Sequence, residues 1–166
     1  MTRFRSHSCA IITDTRKNRF PFVYCGDFIT TWNIDMTIQL QQLAAWVAAV
    51  VFALMAGFQF LLALGLPWGH LAWGGEYRIL PAKFRFASFL ATMLFAFGIT
   101  AVLERAHIEY FFNRPDVIAI VVWAYAGLFA LSTIGNLLST STFEKRVMTP
   151  VAIILVITCV VVAIGP

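Results

Sequence analysis

An all-α polytopic membrane protein, built as a four-helix transmembrane bundle, is the fold class this sequence predicts, on three observations. Of 166 residues, 60% are hydrophobic and 12% are charged, against roughly a quarter charged in soluble domains. Mean hydropathy is +0.82. Four long apolar stretches, at about 38–66, 84–104, 117–139 and 147–165, match the roughly 20 helical residues that cross a bilayer core of about 30 Å. They are apolar on every face, whereas barrel strands alternate over about 10 residues.

Residues 1–35 form a basic N-terminal arm, set apart from the transmembrane domain at 36–166. The arm holds Arg3, Arg5, Arg16, Lys17 and Arg19, and no apolar run long enough for a secretory signal. Three readings stay open for it: a disordered segment touching anionic headgroups, a short folded cap, or an extension upstream of a working start at Met36. Cys9 and Cys25 lie in the arm and Cys159 in the fourth span. No CxxC pair supports thiol redox chemistry, and a Cys9–Cys25 disulfide would require an arm outside the cytoplasm.

Small residues mark how the spans pack. Ala45, Ala49, Ala53 and Gly57 recur every four residues in the first span, as do Ser88, Thr92, Ala96 and Thr100 in the second. Close backbone approach over such residues supplies the van der Waals contact that drives helix association in lipid. In the third span Gly127, Gly135 and Ser139 share a face with Trp123. Ser141-Thr-Phe-Glu144 has the spacing of a capping box, and Thr149-Pro150 offers a second start for the fourth helix. A start near Phe143 makes Pro150 interior and predicts a kink.

The chemistry-bearing residues exclude more than they suggest. His70 and His107 fall on opposite membrane faces, and no span contains a histidine, which excludes a bis-His haem. Glu104-Arg-Ala-His107 is a lone Glu-x-x-His, where a two-metal carboxylate site takes two such motifs; it reads as a solvated helix end. No metal, cofactor or nucleic-acid partner is expected, and no nucleophile–base pair points to an enzyme. The membrane cores carry no ionisable group of the kind coupled transporters use. Their polar residues, Gln59, Thr92, Thr100, Ser132, Thr133, Asn136 and Thr158, are expected to bond neighbouring helices or their own backbone.

The connection GLPWGHLAWGGEYRILPAKFR, residues 65–85, stands out. Its Trp and Tyr rings suit the headgroup level, its prolines end helices and its glycines permit a tight return. Arg78, Lys83 and Arg85 here, with Lys145 and Arg146 in the third connection, set five basic residues against Arg105 and Arg114 on the other face. The arm's five bases would raise that face to seven, but most lie beyond the window of about 15–20 residues over which the bias counts. That bias predicts cytoplasmic loops at 67–85 and 136–146, with both termini outside. The expected binding face is Trp68, Gly69, Trp73, Gly74, Arg78, Asn136, Ser139, Glu144 and Arg146, with Trp68 or Trp73 against the bundle near Asn136 or Ser139.

Trp68-Gly69, Ala72-Trp73-Gly74-Gly75, Leu80-Pro81 and the later Asn136, Ser139, Ser141, Glu144-Lys145-Arg146 and Thr149-Pro150 resemble segments of uncharacterised small four-span membrane proteins of bacteria, actinobacteria especially. The resemblance spans about Met36 to Pro166 and implies a bacterial inner-membrane location, but no activity. The expected function is therefore a non-enzymatic integral membrane protein whose loops at 67–85 and 136–146 bind lipid headgroups, anionic ones included, or a partner membrane protein. The alternative is a subunit or small carrier for an apolar or weakly polar molecule, which at this size implies a homo-oligomer or a larger complex.

Overall fold

The computed structural model describes residues 28–165, with side-chain surroundings from Met36 onward. Residues 1–27, with Cys9 and Cys25, lie outside the described residues. Four helices follow: α1 (Phe28–Leu64), α2 (Ala82–Arg105), α3 (Pro115–Leu138) and α4 (Thr149–Ile164). Two short 3-10 turns, Gly69–Leu71 and Trp73–Gly75, shape the first connection, and a π-helical segment, Glu144–Met148, leads into α4. Met36–Leu64, Ala82–Arg105, Pro115–Leu138 and Glu144–Ile164 are long and apolar enough to cross a membrane. The chain is thus all-α with four candidate spans, and α1 begins within the stretch read as the arm.

Helices α1, α2 and α3 each bury one stripe built from steps of three and four residues. In α1 the stripe is Gln41, Ala45, Ala48 and Phe52; in α2 it is Ser88, Thr92, Phe95 and Val102; in α3 it is Ile118, Val122, Tyr125 and Phe129. This average step of 3.5 keeps a seam facing its partners. A strict step of four advances about 400°, so it drifts about 40° per step. The four-spaced rows accordingly leave the core, and Ala53, Gly57 and Ala96 are exposed. The expected α3 seam faces outward except at its end: Trp123, Gly127 and Gly135 are exposed while Ser139 is half-buried, and a Cβ on either glycine would meet nothing within 4 Å.

Four rings fill the centre. Phe52 lies 6.1 Å from Phe95, 5.5 Å from Tyr125 and 5.6 Å from Phe129, centroid to centroid. Gly98 makes room for them, since a Cβ there would stand 3.1 Å from the Phe52 ring. Tyr125 donates its hydroxyl to the Leu94 carbonyl at 2.6 Å, so the one polar atom of the cluster is satisfied. Thr92, Thr100, Thr133 and Thr158 donate to carbonyls of their own preceding turns, the local bonding expected of hydroxyls at depth.

Helix ends explain the connections. Gly65 is left-handed at φ 93°, its N–H reaches the Leu62 carbonyl and that of Leu66 reaches Leu61, which is a Schellman ending. The remaining carbonyls, of Ala63 and Leu64, accept from Arg85 at 2.9 and 3.1 Å. Together they satisfy all four acceptors that a helix end leaves open. α2 ends the same way, with His107 at φ 56° in the left-handed position and Ile108 N–H donating to Leu103. At the start of the fourth span, Pro150 lacks an N–H and would clash with the Arg146 carbonyl in regular helix. The π-helical turn Glu144–Met148 absorbs that misfit just before it, and Thr149 gives Glu144 a further bond through its hydroxyl at 3.2 Å.

Candidate functional site

The first and third connections meet. Trp73, Gly74 and Gly75 carry three consecutive positive φ angles, 54°, 82° and 75°, a run that bulky residues rarely enter. Trp73 is held there by its indole N–H, which donates to Ser88 Oγ at 3.1 Å, and by Phe84, whose ring lies 5.3 Å away. The contorted turn points the Gly74 N–H at Glu144 Oε1, 2.9 Å distant. Gly75 faces Ser141. Strain at a bulky residue held by its surroundings is a mark of functional positions.

Glu144 is buried and accepts from the Ser139 hydroxyl as well as from Gly74. Among the described residues it forms no ion pair. The capping box anticipated from Ser141 to Glu144 is therefore half made. The Glu144 N–H donates to Ser141 Oγ at 3.4 Å, but the Ser141 N–H donates to Ser139 Oγ rather than to the Glu144 carboxylate. The carboxylate is spent on joining the two connections.

Beneath the joint lies a cavity of about 260 Å³ at one end of the bundle. Trp73 and Ala72 wall it from the connection, while Phe95, Phe129 and Leu155 wall it from the helices. Gln59, Ser132, Asn136 and Glu144 bring polar groups to its surface. The Oε1 of Gln59 is buried without a hydrogen-bond partner among the described residues, an arrangement that costs roughly 1–3 kcal/mol of stability.

Of the residues named from sequence, the structure brings together Trp73, Gly74, Asn136, Ser139 and Glu144. Trp73 and Asn136 line one cavity. Gly69 serves the connection itself: its N–H donates to the Arg78 carbonyl at 3.0 Å, and a Cβ would stand 2.6 Å from the Tyr77 carbonyl. Trp68, Arg78 and Arg146 are exposed and do not line the cavity. Sequence reasoning missed Ser88, Ser141 and the cavity's apolar walls. The available signal was the set of polar residues at depth, of which Gln59, Ser132 and Asn136 line the cavity.

The opposite end is organised by a second buried carboxylate. Glu104 accepts from the backbone N–H groups of Phe111, Phe112 and Arg114 at 3.2, 2.9 and 3.4 Å. It is not the solvated helix end anticipated, because the second connection folds over it. His107 is exposed and turned left-handed, and no cluster of three or more metal-ligating side chains exists among the described residues. Gln41 ties this end together, donating to the carbonyls of Arg105 at 3.2 Å and Val162 at 2.9 Å. No family model, curated protein or solved structure matches the chain.

Proposed function

We propose that this is a non-enzymatic multi-pass membrane protein whose joined first and third connections bind anionic lipid headgroups at the bilayer surface. The observation that supports this reading is the Gly74–Glu144 joint, which places bases from two distant connections on one cap. Arg85 and Lys83 are partly committed elsewhere, Arg85 to the end of α1 and Lys83 over the Phe84 ring at 4.9 Å. Arg78, Lys145 and Arg146 are exposed with no side-chain partner among the described residues, so they are the bases left for phosphate. Each basic residue near an anionic surface is worth about 1 kcal/mol. By the excess of basic residues this cap faces the cytoplasm.

The test is native mass spectrometry of the purified chain with phosphatidylglycerol. Arg78→Gln, Lys145→Gln and Arg146→Gln should each weaken retention by roughly fivefold, as about 1 kcal/mol implies, while Arg114→Gln at the other end leaves it unchanged. Equal losses at both ends would reject a cap-specific site. The alternative, a carrier or subunit for an apolar or weakly polar molecule, draws on the cavity between the helices.

A further inference from the structure

The cavity below Trp73 differs chemically from the basic surface above it. Its single ionisable wall group is Glu144, and half-buried Gln59 presents a buried amide oxygen that has no partner among the described residues. Asn136 adds a second amide, and its side chain makes no hydrogen bond among the described residues. Basic residues are absent from the lining. An anionic head would meet a carboxylate without a cation to offset it.

Size narrows the choice further. About 260 Å³ falls just under the roughly 300 Å³ at which small-molecule sites begin, which suits one small head with the first carbons of a single chain. Phe95, Phe129 and Leu155 offer that chain an apolar floor. A hydroxyl both donates and accepts, so it can satisfy a Gln oxygen and an Asn NH₂ together, whereas an ammonium only donates and leaves the amide donors unpaired.

We propose that this cavity binds an uncharged, hydroxyl-headed, single-chain amphiphile, with the hydroxyl donating to Gln59 and accepting from Asn136. This site is independent of headgroup binding by the outer surface of the cap. It requires no transport.

Native mass spectrometry of the full chain in detergent, titrated with monooleoylglycerol and separately with oleoyl lysophosphatidate, tests it with one acyl chain and two heads. Monooleoylglycerol should bind one per chain and at least tenfold more tightly than lysophosphatidate. Gln59→Leu should weaken it tenfold or more while the melting temperature holds, because the substitution removes an unpaired buried acceptor of similar size. Asn136→Leu should weaken it severalfold and supplies the same test should Gln59→Leu lower the melting temperature. Arg78→Gln should leave monooleoylglycerol binding unchanged, which separates this site from the surface one. Equal binding of the two heads, no binding of either, or full affinity in both cavity variants would overturn the proposal.

Discussion

Two carboxylates do similar work at opposite ends of the bundle. Glu104 gathers three backbone N–H groups of the second connection, and Glu144 holds Gly74 and Ser139. Removing either takes the charged acceptor from these part-buried donors, at up to roughly 1–3 kcal/mol each. Glu104→Ala is therefore expected to lower stability by about 3 kcal/mol or more, and Glu144→Ala by about 2–3 kcal/mol, read as thermal melting of the detergent-solubilised protein. Unchanged melting for both would mean that water replaces these bonds at little cost. At this scale the sequence was half legible. The Ser141–Glu144 spacing marked a helix start correctly, because capping is local. It could not reveal that the Glu144 side chain is diverted to Gly74, 70 residues away in sequence, since nothing in a local pattern encodes which loop lands on it.

Between helices, the decisive quantity is which glycines sit on a seam. Gly98 has the Phe52 ring 3.1 Å from where its Cβ would be, while Gly127 has nothing within 4 Å. Gly98→Ala should destabilise the bundle by about 1–3 kcal/mol, the usual cost of overpacking. Gly127→Ala should be neutral or stabilise by up to about 1 kcal/mol, through helix propensity alone. Urea or heat denaturation of the two variants side by side checks the ordering, and equal effects would place Gly98 off the seam. The existence of the spans was legible because apolar length is a strong signal. The seams were read with the wrong period, since a row spaced by four looks regular in sequence yet winds off the buried face. The left-handed ends at Gly65 and His107 went unread because a Schellman ending depends on backbone conformation, which histidine discloses poorly.

For the whole molecule, composition and four apolar runs were enough to define the fold class, since hydrocarbon admits few spanning structures. The meeting of the first and third connections was anticipated, and Trp73 and Asn136 do line one cavity. What lay beyond the sequence was the long-range bond that makes the joint, from Gly74 N–H to Glu144 Oε1. That joint underlies both binding readings, because it sets exposed bases above and amides below a single strained turn. It also makes a geometric commitment. A Cβ on Gly75 would stand 3.5 Å from the Cβ of Ser141, within the span of about 3.5–4.5 Å that a disulfide bridges. The most direct measurement is disulfide trapping of Gly75→Cys with Ser141→Cys in native membranes, with Cys9, Cys25 and Cys159 replaced by serine and with Gly127→Cys plus Ser141→Cys as the control pair. The joined cap predicts an oxidant-dependent intrachain cross-link for the first pair and none for the control. Failure of the first pair to cross-link while both of its thiols react freely with maleimide would contradict it.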